Sequence, residues 1–250
     1  MELRSTQKEP VDSGLRLVTE SAAPEPSAIE KQFVNFIFLN ISPEWRKLGS
    51  DRKHEYKREF QSVFDRYRSD FLLYSYSLVG FDSKADLMFW RIGTSLDMVQ
   101  EMTAQLYNTD LGSFFGTPDN YLSITKRMMF TGTPDEGRSR VQAGMAKYNF
   151  VYPCKKQADW YEMTADERDA MVEENFMVGK RFPNIRIHLT HAFGFNDNEY
   201  LISFETDEPR DFLALAEELR QTPASKFTLR GMPIYTCRQR SLAECLDALG

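Results

Sequence analysis

The apolar positions in the first half of the chain predict a strand, a helix, two strands, a helix and a strand. Gln32 opens a run of aromatic and β-branched residues, QFVNFIFLNI, which predicts a buried strand. Between Asp51 and Tyr67 the apolar residues recur at helical spacing among charged ones, which predicts an amphipathic helix on a sheet. Two strand-like runs, a helical segment and a last strand-like run follow: FLLYSYSLVG, ADLMFWRI, SLDMVQEMTAQLYNT and NYLSITKRMMF.

The second half repeats this plan, and such internal repeats constrain a fold strongly. Trp160 falls where Trp45 falls in the first half, and the turn glycines Gly194 and Gly80 are also in register. Each half has the element order of a ferredoxin-like unit with an antiparallel sheet. We therefore predict an α+β fold in which two such units merge their sheets into an open β-barrel with helices outside.

The same patterns predict the domain organisation. Residues 1–30 are polar and rich in Ser, Pro and Glu, which predicts a flexible tail. Residues 31–130 form the N-terminal unit and 146–250 the C-terminal unit. The Gly-rich polar segment 131–145 is the connecting loop, which we expect to cross the barrel mouth.

Charge and cysteine usage exclude several classes of protein. The formal net charge of -6 argues against nucleic acid as a partner. The three cysteines lack CxxC spacing, which argues against structural zinc and suits a reducing compartment. Because no apolar run is long enough to span a membrane and no secretory signal pattern opens the chain, we expect a cytoplasmic protein.

Three stretches of the C-terminal unit carry candidate chemistry. Strand alternation puts Tyr152 and Lys156 on one side, where both could reach one ligand. The alternative is a tyrosine that fills the core and a solvated strand end. Thr164 and Glu167 form a capping box, and the helix it opens carries Asn175 on an apolar stripe, where its amide needs a partner. That partner could also be a neighbouring backbone group.

The histidines give little support to a metal site of the usual kinds. On the strand from Asn184, His188 and His191 lie on opposite faces, so they cannot bind one small ion together. His54 lies among charges on the first helix and is expected at the surface. No nucleophile-elbow pattern and no glycine-rich phosphate loop is present.

Taken together, the second half resembles the haem-binding half of the chlorite dismutase superfamily, in particular the coproheme decarboxylases. Tyr152-Pro153, Lys156 and Trp160-Tyr161 resemble the strand that supplies the catalytic tyrosine and a lysine near a propionate. The segment from Met177 to Lys180 resembles part of the HGxxGR motif of the proximal helix, and Gly194 to Tyr200 resembles its following turn and strand. Arg138 and Ser225 fall where the family has propionate-binding residues.

This resemblance implies a fold, a cofactor and a reaction. The fold is two ferredoxin-like units per subunit, commonly in homopentamers, and the cofactor is haem or iron coproporphyrin. With hydrogen peroxide as co-substrate, Tyr152 would become the radical that attacks a propionate, while Lys156, Arg138 and Ser225 would hold the propionates.

Three positions depart from the family. The axial haem histidine is replaced by Asn175, and Phe176 replaces the glycine after it. Thirteen residues on, where the decarboxylases often have glutamine and the chlorite dismutases arginine, stands His188. Either His188 ligates iron from the opposite side, or the pocket binds a tetrapyrrole differently or not at all.

Three functional hypotheses follow. The first is a haem or coproheme enzyme that resembles the decarboxylases. The second is a non-enzymatic tetrapyrrole-binding or structural relative that has lost the ligand histidine. The third is an unrelated ferredoxin-like barrel enzyme, which would require the matched residues to point away from a common cavity.

Overall fold

The computed structural model describes residues 31–125, 143–229 and 231–250. The strands are β1 (Phe33–Ile41), β2 (Leu72–Ser77), β3 (Leu87–Gly93), β4 (Phe115–Ile124), β5 (Tyr148–Cys154), β6 (Arg186–His191), β7 (Tyr200–Thr206) and β8 (Tyr235–Gln239). The helices are α1 (Ser50–Arg66), α2 (Leu96–Tyr107), α3 (Asp159–Glu162), α4 (Ala165–Lys180), α5 (Pro209–Gln221), α6 (Pro223–Lys226) and α7 (Leu242–Ala248). Short 3-10 turns occur at Pro43–Lys47, Tyr67–Ser69 and Gly112–Phe114.

Some sequence-based expectations fall outside these residues. They are the tail 1–30, most of the connection 131–145, the end of the predicted strand NYLSITKRMMF, and Arg138. Within the described part of the chain, no helix has the length and apolar character needed to cross a membrane.

The eight strands pair antiparallel in the closed order β1-β3-β2-β8-β5-β7-β6-β4. Each half contributes four neighbouring strands. Their spatial order is β4-β1-β3-β2 in the first half and β8-β5-β7-β6 in the second, so both halves place their fourth strand beside their first, followed by the third and the second. The halves are joined by two residue pairs between β2 and β8 and by one pair, Ile124 with His191, between β4 and β6. The predicted open barrel is therefore closed, because the edge strands of the two sheets satisfy each other's backbone groups.

Local features confirm the repeat. Trp45 and Trp160 both follow the first strand of their half, and both are buried. Gly80 and Gly194 both have left-handed backbone, with φ of +81° and +78°. Glycine takes this conformation without steric cost, which explains why both turns use it.

Apolar side chains form three clusters, because each strand presents alternate residues to the barrel interior and to the helices outside. The interior cluster includes Phe36, Trp90 and Tyr235. An N-terminal layer packs α1, α2 and α7 on the outside of β1, β2 and β3. A C-terminal layer contains Phe150, Val178, Ile185, Phe204, Phe212 and Leu215.

The two outer layers differ in how completely they are filled. Helix α1 buries Phe60, Val63 and Phe64 against the sheet. Helix α4 has 16 residues, close to the length of α1, yet Val178 is the one residue that it buries. The C-terminal layer therefore has less side-chain volume between helix and sheet than its N-terminal counterpart.

We expect Gly144→Ala to destabilise the fold more than Gly80→Ala. Both glycines have left-handed backbone, with φ of +73° and +81°, so both substitutions cost about 1–2 kcal/mol. A Cβ at Gly144 would lie 2.0 Å from the Tyr74 ring, whereas one at Gly80 would meet nothing within 4 Å. Overpacking adds about 1–3 kcal/mol, measurable by urea unfolding, and equal losses in the two variants would contradict this packing.

Candidate functional site

The space between α4 and the outward face of β5, β7 and β6 is the candidate site, named here the C-terminal cleft. Tyr152 pairs with Ile202, and Ile202 with Leu189, so these three residues form one row across the three strands. All three are half-buried, and Ile187 on the same face is 42% exposed. This face of the sheet is therefore less completely covered than that of the N-terminal layer, where Ile37 is 3% and Phe89 1% exposed.

Tyr152 stands on the floor of this cleft. Its ring makes edge contacts with Phe204 and Phe212, at centroid distances of 5.8 and 6.3 Å. These rings fix the orientation of the phenol. The hydroxyl forms no hydrogen bond to another residue of the described ranges.

Lys156 lies beyond the end of β5, at the rim of the cleft. Its ammonium donates to Ala224 O at 3.0 Å and to Thr228 Oγ1 at 2.8 Å, and it lies 4.4 Å from the centre of the Trp160 ring. Burial lowers the pKa of Lys156. Ala224 directly precedes Ser225 on α6. The structure therefore brings Lys156 and Ser225, both predicted site residues, to the same rim.

Asn175 projects from α4 on the stripe that also carries Met171 and Val178. It is half-buried, and its Oδ1 is fully buried without a hydrogen-bond partner. One turn later, a Cβ at Gly179 would lie 3.0 Å from Ile187 Cδ1, so α4 closely approaches β6 there. The predicted capping box is confirmed, with Thr164 as the N-cap and Glu167 as its partner.

His188 lies on the other side of the sheet. It pairs with Ser203, and its neighbour on that face, Thr190, hydrogen-bonds at 2.7 Å to Ser123 inside the barrel. Its Nε2 lies 2.9 Å from Oε2 of the fully buried Glu205. Iron ligation by His188 on the side of Tyr152 does not fit this geometry, because strand alternation turns residue 188 away from the cleft.

The remaining histidines and the acidic residues of the described ranges do not form a metal site in place of His188. In the ranges that the structure describes, no group of three His, Cys, Asp or Glu side chains could hold a metal ion. His191 does lie on the cleft side of β6, where its ring packs against Tyr200 at 5.4 Å and Phe193 at 6.4 Å. Strand alternation alone would place His191 on this face. The sequence-based prediction instead took His188 as the possible iron ligand, because it follows Asn175 by thirteen residues.

Several further polar residues gather at the same rim. Burial, and then a hydrogen bond to Glu199, raise the pKa of Tyr161. Burial also raises the pKa of Tyr200, an effect that Glu199 adds to and Arg168 opposes. Arg168 is half-buried and donates to Met163 O at 2.6 Å. Its position on the stripe of Met171, Asn175 and Val178 is the one signal in the sequence that could have identified it.

The cleft is thus polar at one end and apolar at the other. Lys156 and Arg168 lie towards the end of Tyr200, whereas Phe150 and Phe204 continue the same sheet face to the opposite end. This arrangement suits a flat apolar molecule with anionic groups along one edge. A separate recess of about 480 Å³ at the barrel end, lined in part by Asp119 and Asn198, does not border Tyr152 or Asn175.

Comparisons with known proteins agree on one family. The chlorite dismutase family model matches residues 53–240. Chlorite dismutase of Ideonella dechloratans is 23% identical over 206 residues, which cover 79% of this chain and 72% of that protein. Coproheme decarboxylase of Mycolicibacterium smegmatis is 24% identical over 166 residues, which cover 64% and 70%.

A solved structure shows the same fold. A variant of chlorite dismutase from Candidatus Nitrospira defluvii superposes with a TM-score of 0.80 at 23% identity. The alignment covers 87% of this chain and 94% of that chain. The α+β architecture of eight antiparallel strands with outer helices is therefore shared over nearly the whole described chain.

We expect His188→Ala to act on stability and not on the cleft. Removing the imidazole leaves Oε2 of the buried Glu205 without its ring partner, which should lower the free energy of unfolding by about 1–3 kcal/mol. His54→Ala, at an exposed position on α1, is the control and should change it little. Urea unfolding and a haem titration measure both effects. Lost haem binding at unchanged stability would reinstate His188 as a ligand.

Proposed function

This chain belongs to the chlorite dismutase family, and we propose that it is an oxidoreductase that binds haem or iron coproporphyrin and resembles the peroxide-dependent coproheme decarboxylases. One observation carries the proposal. Tyr152 on β5 and Asn175 on α4 lie on the facing sides of sheet and helix, and Lys156 lies beyond the end of β5 near α6.

Two features of the described residues support a macrocycle with carboxylates as the ligand. The row of Tyr152, Ile202 and Leu189 offers an apolar floor for a flat ring. The ammonium of Lys156 has neutral oxygens as its hydrogen-bond acceptors, so a ligand carboxylate would give it a stronger, charge-assisted bond. Ser225 lies beside it, and Arg138, outside the described residues, is proposed as a further propionate-binding residue.

When bound, the iron tetrapyrrole supplies the oxidising chemistry with hydrogen peroxide. The part of Tyr152 is to give up its phenolic hydrogen atom and then to take a hydrogen atom from a propionate side chain. The propionate would then lose its carboxylate as carbon dioxide and become a vinyl group. The two electrons given up, one with the hydrogen atom and one on loss of carbon dioxide, would reduce one hydrogen peroxide to two water molecules. Lys156 and Ser225 hold the propionate so that it stays beside the phenol.

The fit does not extend to iron ligation by imidazole. All three histidines are described, and His54 is exposed on α1, His188 faces the barrel interior and His191 packs at one end of the cleft. Asn175 occupies the family's ligand position on α4. This supports a second candidate function, a tetrapyrrole-binding or structural relative without catalysis.

The assembly is also a proposal. Homo-oligomers, and pentamers in particular, are what the family resemblance implies for this chain, and sedimentation equilibrium would measure the number of subunits. The ferredoxin-like identity of each half and the cytoplasmic location stay predictions from the sequence.

An optical titration with haem and with iron coproporphyrin tests the proposal directly. We expect a Soret shift with at least one of them and loss of propionate mass after peroxide is added. Tyr152→Phe should keep the shift and stop the loss of mass, because the ring contacts remain while the phenolic hydrogen is gone. A fully active Tyr152→Phe protein would remove the radical role, and binding without any loss of mass would favour the second candidate.

Filling the cleft should block the ligand. Ile202→Trp places a large side chain in the middle of the row, and we expect it to weaken porphyrin binding at least about tenfold, or 1.4 kcal/mol. Leu213→Trp, at a position on α5 that is 61% exposed, is the matched control. If both variants bind as the unchanged protein does, the tetrapyrrole does not lie in the C-terminal cleft.

A further inference from the structure

The recess of about 480 Å³ at the end of the barrel is separate from the C-terminal cleft and has its own polar lining. Its walls come from the first half of β4, the turn between β2 and β3, the loop 196–198 and the segment before β8. Cavities of about 300–1,000 Å³ are typical of small-molecule sites. The barrel-end recess therefore has room for a ligand much larger than a water molecule or a single ion.

Asp119 is held rigidly in the wall of this recess. It shares one face of β4 with Tyr121, whose hydroxyl donates to its Oδ1 at 3.0 Å, and the hydroxyl of Tyr235 on β8 donates to its Oδ2. Burial raises the pKa of Tyr121 and of Tyr235, so both hydroxyls keep their protons and remain donors. A carboxylate offers about four acceptor positions, and these two bonds therefore leave Asp119 able to accept from a ligand.

Asn198 adds an amide that the described part of the protein does not satisfy. The residue lines the recess and is only 5% exposed, yet its side chain forms no hydrogen bond to another residue of the described ranges. Oδ1 is among the fully buried unpartnered atoms and Nδ2 is not, so the nitrogen is the amide atom that keeps accessible surface. Because buried polar side chains are generally paired, this free donor at the wall of a cavity points to a ligand.

The polar groups of the lining select the chemistry of that ligand. Asp119 and Asp197 offer acceptors, whereas the Asn198 amide and the Lys84 ammonium offer donors. An anion would meet two carboxylates, and an organic cation would meet an ammonium and an N–H group. Within the described ranges, no group of three His, Cys, Asp or Glu side chains could hold a metal ion. A hydroxyl group both donates and accepts, so it suits both kinds of lining group.

We infer that the barrel-end recess binds a small neutral polyhydroxyl compound of the size of a monosaccharide or a cyclic polyol. Its hydroxyl groups donate to Asp119 and accept from the Asn198 amide. Pro118, Met232 and Pro233 give the recess an apolar surface for the C–H face of such a ring. The recess does not border Tyr152 or Asn175, so this site is additional to the proposed tetrapyrrole site and does not depend on it.

The test is a ligand-observed NMR titration by saturation transfer, with D-glucose and myo-inositol as probes. We expect saturable binding of at least one of them. Asp119→Asn removes a negative charge and acceptor positions, and Asn198→Leu removes the free donor at similar volume, so each should weaken binding at least about tenfold. Asp97→Asn, with the same loss of charge at an exposed position on α2, is the matched control and should bind as the unchanged protein does.

Other ligand classes are tested by the same titration with 1,4-diaminobutane and with succinate. Saturable binding of either charged probe without binding of a polyol would overturn the inference, and so would no binding of any probe. Urea unfolding shows whether the variants fold. If Asp119→Asn does not, the exposed Asp197→Asn takes its place.

Polyol binding that is unchanged in a folded carboxylate variant and in Asn198→Leu would place the site elsewhere and contradict the inference. Titration with iron coproporphyrin separates the two proposals. Asn198→Leu should bind the porphyrin as the unchanged protein does, and failure of the unchanged protein to bind it would contradict the proposed function alone.

Discussion

The two-residue alternation of the strands is the constraint on which the rest of the structure depends. In a closed barrel with helices outside, each strand must serve two environments, the interior and one outer layer. On β7 this puts Ser203 and Glu205 inside and Ile202 and Phe204 outside. The same alternation decides chemistry, because a shift of one residue moves a side chain between a buried polar network and an open cleft.

The two halves share one strand order but differ in how their outer helices pack on the sheet. In the N-terminal half, the aromatic side chains of α1 and β3 fill the space between helix and sheet, with Phe64 and Phe89 at a ring distance of 4.8 Å. In the C-terminal half, α4 approaches the sheet closely at Gly179 and buries little else. One polar atom of this layer, Asn175 Oδ1, is buried without a hydrogen-bond partner, which is unfavourable for the fold.

The polar groups of the molecule are divided between structure and site in the same way. His188 and Glu205 lie inside the barrel, where Glu205 Oε1 also accepts from the backbone N–H groups of Gly144 and Met145. This network ties the start of the C-terminal half to the barrel wall. Lys156 and Tyr152 lie outside, where a ligand can reach them. The proposed tetrapyrrole chemistry uses Lys156 and Tyr152 and does not involve His188 or Glu205.

The sequence by itself determined the repeat, most element boundaries, the capping box at Thr164 and the side of β5 that carries Tyr152, because local periodicity encodes these features. It also placed His188 and His191 on opposite faces. Which of the two faces meets α4 depends on how the sheets close, and this is a non-local packing outcome. Tertiary structure alone therefore turned His188 to Glu205, brought Arg168 and Tyr161 to the rim, and left Asn175 Oδ1 without a partner. Each of these depends on contacts between residues that are distant in the chain, which no local pattern specifies.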